Sequence, residues 1–219
     1  MKQRLLPKLA TMDERALEWL IMEHYQFSFA NKGLLQAAID CTSQLAEAGV
    51  SKELQRNIDE EDGHAPMYKR GMMECGTDID QRVKFAPTER FLTRVRELCQ
   101  PDPSRALGAL YATETAAIFE HETFFDVCEE VARRRNFTYE GSLIKHFHDI
   151  HLSGGVEQSH KDGLCCFVDE QPATPPTTGA PIDPSAVKRG AIEAIEAMQT
   201  WWNSMLDEAF ARSAAAGAR

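Results

Sequence analysis

GSLIKHFHDIHLSGGVEQSHKDGLCC, residues 141 to 166, is the stretch on which the reading of this chain turns. It places four of the chain's seven histidines in one amphipathic segment interrupted by glycine, and it contains the step Glu157-x-x-His160. Residues three apart on a helix share a face, so Glu157 and His160 present a carboxylate and an imidazole to one point. The same step stands at Glu61-Asp62-Gly63-His64, nearly a hundred residues earlier. Glu-x-x-His on each of two helices, with inward Glu residues from others, is the ligand arrangement of di-iron and di-manganese carboxylate bundles.

Outward from that stretch the pattern is helical throughout. A capping box at Thr11-x-x-Glu14 predicts a first helix over about 12–31. Gly33 interrupts, and a second apolar face runs to Gly49, read as a C-terminal cap. Ser51 is the predicted N-cap of a third helix reaching Gly76, kinked where Gly63 and Pro66 break helix rules. Pro66 in a helix interior costs roughly 3 kcal/mol, which implies that the kink serves something, such as placing Glu61 and His64 beside a metal. Thr88 is the predicted cap of a short fourth helix, and Asp102-Pro103 opens a long fifth one. Asn136 or Thr138 should start the helix carrying the opening stretch. Residues 167–183 read as a Pro/Thr-rich loop, Asp183-Pro184 opens the last helix, and the alanine-rich tail 213–219 should fray. With no strand pattern and no internal repeat, the expectation is an all-α, single-domain bundle of seven helices, with the metal core in 50–165.

Composition narrows the function. The 219 residues suit one domain, and the hydrophobic and charged fractions, 43% and 26%, are ordinary for a globular protein. The apolar runs are too short to span a bilayer, and the N-terminus lacks the apolar block of a secretory signal, so a cytoplasmic protein with no membrane partner is expected. The six cysteines lack Cys-x-x-Cys spacing, which argues against zinc ribbons and thioredoxin chemistry. A net charge of −10 opposes nucleic-acid binding, and Arg133-Arg134-Arg135 reads as a complement to a helix dipole.

Glu114 lies among Leu107, Leu110, Tyr111, Ala117 and Ile118 and should point inward. A buried carboxylate needs a partner, a proton or a metal, which makes Glu114 the natural bridging ligand. Glu61, His64, Glu114, Glu157 and His160 make five ligands, and His151 is the candidate sixth. Six residues before Glu157, about 600° of turn, His151 is off the ligand face of an unbroken helix. A bulge or unwound turn at Ser153-Gly154-Gly155 would bring it back. His121, two turns after Glu114, is a ligand, an outer donor or a core histidine; His146 and His148 read as outer or surface groups, and His24 as a core or surface histidine. The plain rival is a bundle with fortuitous Glu and His residues, against which two Glu-x-x-His steps on rule-breaking helices weigh.

The segments NIDEEDGH, ALYATETAAI and FHDIHLSGGVEQSH together resemble the ligand-bearing helices of the heme-oxygenase-like di-iron oxidases. The likeness covers about residues 50 to 165, and its motifs are short but occur in the family's order. It implies ligands at Glu61 and His64, at Glu114, and at His151, Glu157 and His160. Two departures stand out: Ser153 occupies a position that is usually histidine, and Glu157 replaces the usual Asp. Glu60 competes with Glu61.

The resemblance implies two iron ions, O2 as co-substrate, and oxidation of a small molecule such as an amino acid or amine in specialised metabolism. Desaturation, C–C cleavage, N-oxygenation and oxidative cyclisation such as azetidine formation are all within its range. A homodimer is implied by fold analogy alone. An amino-acid substrate would call for a buried cation, with Lys69, Arg70, Arg105 and Lys145 as candidates. Two rival readings are a metal-independent thiaminase-like or quinone-cofactor-synthase-like enzyme and a non-catalytic helical interaction protein.

Overall fold

Aspartate–proline pairs open the two longest helices, as expected from the sequence. Asp102 accepts the Ser104 and Arg105 amides at 3.0 and 3.1 Å, and Asp183 accepts the Ser185 amide at 2.8 Å. The computed structural model describes residues 1–169 and 179–217. These form α1 (Lys2–Leu5), α2 (Glu14–Thr42), α3 (Ala48–Glu60), α4 (His64–Glu74), α5 (Ala86–Leu98), α6 (Pro103–Arg134), α7 (Leu143–Leu152), α8 (Val156–Asp169) and α9 (Pro184–Gly217). The described residues contain no strand, only one isolated parallel bridge between Leu45 and Ala180. With α3/α4 and α7/α8 each taken as one broken rod and the N-terminal turns as one element, the described chain is an all-α bundle of seven helices.

Helix α6 runs through the middle, with α9 along one side and α2, α7 and α8 along others. Glycine sets the α6–α9 distance: a Cβ on Gly108 would collide with the Val187 carbonyl, and one on Gly190 with the Arg105 carbonyl. The core joins Leu17, Leu20 and Ile21 of α2 to Phe124, Val127 and Val131 of α6 and Met198, Trp201 and Met205 of α9. Each such side chain contributes about 1.5 to 3 kcal/mol on full burial. Phe91 of α5 stacks on Trp201 with ring centroids 4.3 Å apart.

Several boundaries differ from the sequence reading. The predicted first and second helices are one, because Gly33 at a helix interior costs only about 1 kcal/mol and tertiary packing offsets it. The N-cap of α2 is Asp13; Thr11 instead donates to the Lys8 carbonyl. Gly49 and Ser51 lie inside α3, which Glu47 caps. Thr88 lies inside α5, and its hydroxyl donates to Glu23, a residue with exposed-looking neighbours in sequence that is fully buried and paired with Arg82 at 2.8 Å. Asn136 has φ 52° and helps end α6, and Ser142 caps α7. Arg134 spans from α6 to the carbonyls of Leu9, Ala10 and Met12, so the basic cluster ties down the N-terminal turn. The tail stays helical to Gly217, with Ser213 accepting the Asp13 amide at 2.8 Å. Most of the predicted Pro/Thr-rich loop, residues 170–178, lies outside the described residues, as do 218–219.

Candidate metal centre

Four elements converge on one buried point, and two of them break there. The first rod breaks at Glu61-Asp62-Gly63: Glu61 caps α3, Gly63 takes φ 90°, and His64 opens α4. Left-handed backbone is what glycine supplies at least cost, so glycine is the favoured residue inside this Glu-x-x-His step. Lys32 of α2 holds Asp62 of this turn at 2.6 Å.

The second rod breaks at the predicted place. Helix α7 ends at Leu152, Gly155 takes φ 72°, and α8 starts at Val156. The Gly154 amide donates to Asp149 at 2.8 Å, and a Cβ on Gly154 would collide with the Ile150 carbonyl. Helix α7 is seated by Gly71 of α4, where a Cβ would lie 2.5 Å from the Ile144 amide nitrogen. Phe147 stacks on Tyr68 at 4.5 Å between centroids.

The breaks bring Glu61, His64, His151, Glu157 and His160 together with His121 of α6, all buried. His64 Nδ1 is 3.2 Å from Glu61 Oε2, and His151 Nε2 is 3.8 Å from both Glu61 Oε1 and Glu157 Oε1. His121 Nε2 is 3.5 Å from Glu157 Oε1. Three overlapping triads result, each with its ligand atoms within 4.8 Å of one another: Glu61/His64/His151, His121/His151/Glu157 and Glu61/Glu157/His160. Glu114 is buried as expected, and it joins the group through His160 Nδ1 at 3.0 Å instead of through one of these triads. Glu60 is at the rim, half-exposed, with one oxygen held by Arg56 and the other 3.1 Å from His160 Nε2.

His146 is exposed, whereas His148 is fully buried and neither ring nitrogen has a hydrogen-bond partner. His24 is a core histidine: its Nδ1 is 2.9 Å from the Tyr68 hydroxyl and its ring stacks on Phe124 at 3.8 Å.

Burial keeps most of these imidazoles neutral, which is the ligand form. It lowers His151 to about 4 and His24 to about 3, and holds His121 well below the ordinary value. His160 is raised instead: burial is the largest single effect and pulls it down, but the Glu114, Glu61 and Glu60 carboxylates together outweigh it. Burial, then the Glu114 and Glu61 carboxylates, push Glu157 well above the carboxylate range. Burial also acts to raise Glu61, but the His64 and His151 imidazoles beside it hold it below its usual value.

The cavity at this point is small, about 20 Å³, room for a water or an ion. Among the described residues no lysine or arginine lines it. Lys69 pairs with Asp80 and Lys145 with Asp149, both at 2.7 Å; Arg105 pairs with Glu193, and Arg70 is exposed. The predicted cation for a substrate carboxylate is therefore absent from the lining. Glu120, which sequence reasoning missed, does line it; its burial follows from packing against Trp202, far along the chain, and left no local signal.

A metal fits this donor set. Glu61 Oε1, Glu157 Oε2, His64 Nδ1 and His121 Nδ1 are buried without hydrogen-bond partners, and buried polar atoms are seldom left so. Carboxylates with neutral imidazoles suit first-row divalent ions.

No protein-family profile matches the chain, and no curated protein matches it by sequence. Solved structures do. A CADD-like protein of unknown function from Nostoc punctiforme is 24% identical, with TM-score 0.78 over 94% of this chain and 87% of that one. A domain of unknown function with a heme oxygenase-like fold from Shewanella denitrificans is 14% identical, with TM-score 0.68 over 94% of this chain and 82% of its own. A TenA homolog from Pseudomonas syringae is 12% identical, with TM-score 0.64 over 91% and 83%. Across these likenesses, which take in 91–94% of this chain and 82–87% of the others, the chain has the heme-oxygenase-like fold.

Proposed function

We propose that the chain is a non-heme di-iron oxidase or oxygenase acting on a small molecule, an amine or amino acid. The observation that carries this reading is the buried meeting of Glu61, Glu114 and Glu157 with His64, His151 and His160, with ligand atoms left unpartnered. Burying carboxylates without cations costs on the order of several kcal/mol each, and bound divalent ions would remove that cost. Glu61, His64 and His151 would hold one ion; Glu157 and His160 would hold the other, with Glu114 drawn in from its hydrogen bond to His160 and His121 as the competing donor. Two iron ions would supply O2 activation and oxidation of C–H or N–H bonds.

The protein's own groups do the rest. His24, fixed by Tyr68 and Phe124, closes the α2 side of the cavity. Glu60, fixed by Arg56, orients His160 through Nε2. The apolar layer of Phe124 and Phe147 limits water.

The test is iron loading of the full-length protein without oxygen, metal analysis, and then O2 uptake with a panel of amines and amino acids. About two irons per chain and substrate-dependent O2 uptake are expected. A chain that holds no iron, or a Glu114→Ala variant that holds as much as the parent, would sink the reading in favour of metal-free acid–base chemistry.

A further inference from the structure

Glu120 stands apart from the ligand set. It is 1% exposed; Trp202 Nε1 donates to its Oε1, and among the described residues no other hydrogen bond reaches this carboxyl. It is a shared wall of two spaces. Inward lies the cavity with Glu61, Glu114, His121, His151 and Glu157. Outward lies a surface pocket of about 440 Å³ between the N-terminal turn, α6 and α9, lined by Met1, Arg4, Phe119, Thr123 and Trp202.

The outer pocket is large enough for a small organic molecule, whereas the inner cavity is not. Its walls combine the apolar Met1, Phe119 and Trp202 with the polar Lys2, Gln3, Arg4 and Thr123, and Phe119 is 59% exposed on the rim. The cations at its mouth are engaged, Lys2 by Glu122 at 3.1 Å and Arg4 by Asp207 at 2.6 Å. What the pocket offers at its floor is a carboxyl with one oxygen free, and a buried carboxylate is best matched by a cationic donor.

We propose that the substrate is a primary amine with an apolar body, seated against Phe119 and Trp202 with its ammonium on Glu120, whose other side lines the inner cavity. Naming this ligand the substrate rests on the di-iron reading; the pocket and its preference for ammonium do not.

The experiment titrates hexylammonium, hexanoate and hexanol into the full-length protein, iron-loaded and metal-free, and follows tryptophan fluorescence. Saturable binding of hexylammonium is expected, with hexanoate and hexanol at least about tenfold weaker, as a charge-assisted pair contributes. Glu120→Gln should weaken hexylammonium about tenfold and bring it level with hexanol. Phe119→Ala, at an exposed site that leaves folding intact, should weaken both hexylammonium and hexanol. Hexanoate binding as tightly as hexylammonium, an unaffected Glu120→Gln, or no saturable binding would each overturn the proposal. Iron content on the same samples separates the two ideas: amine binding without iron defeats the di-iron reading and leaves the pocket standing, and iron without amine binding does the reverse.

Discussion

The two broken rods solve the same problem differently. In α3/α4 the break falls inside the Glu-x-x-His step, between Glu61 and His64, and the turn is pinned to α2 by Lys32 and Asp62. In α7/α8 the step stays whole on one helix, and the break separates it from His151. The first break is open: nothing lies within 4 Å of a Cβ placed on Gly63. The second is crowded at Gly154 against the Ile150 carbonyl. Two breaks that look alike in sequence therefore differ in tolerance, although each has candidate ligands on both of its sides.

The largest expected effect removes the carboxylate that the two ions would share. Glu114→Ala should abolish binding of both metals while the far-ultraviolet circular dichroism stays helical; retention of even one tightly held ion would mean that the rods bind independently. Next, Gly154→Val forces α7 from α8 and should cost the ion that depends on Glu157 and His160, leaving about one ion per chain by metal analysis. Gly71→Ala, pressing on the Ile144 amide, should shift α7 and weaken metal retention without abolishing it, measured as faster release to a chelator. Stripping the metal should speed hydrogen exchange across 143–169 more than across 48–74, because among the described residues no ion pair like Lys32–Asp62 pins the second rod at its turn. The smallest effect is Gly63→Ala: the positive φ costs about 1 to 2 kcal/mol, seen as a lower melting temperature with metal content unchanged. Equal metal loss in Gly63→Ala and Gly154→Val would erase the distinction.

Much of this was legible from residues close in sequence. Asp102-Pro103 and Asp183-Pro184 announce their helices because capping is local. Ser153-Gly154-Gly155 marks its break because no continuous helix puts His151 and Glu157 on one face. What was hidden depends on distant partners. Gly33 looks like a stop until α2 is packed, and nothing near Glu23 in sequence announces that Arg82 and Thr88 close on it. His121 and Glu157 sit 3.5 Å apart although 36 positions separate them. Glu120 is hidden for the same reason, since its partner Trp202 comes from the last helix.

The interlock of Gly108 and Gly190 has a consequence for the order of synthesis. Every proposed metal ligand has been made once residue 160 is complete, yet α6, which carries Glu114 and His121, lies along α9, made later. A nascent chain stalled before Pro184 should thus display the whole ligand set and capture no metal, while a chain released at full length should load. Comparing metal capture by stalled and released chains would show whether α9 is what makes the site competent.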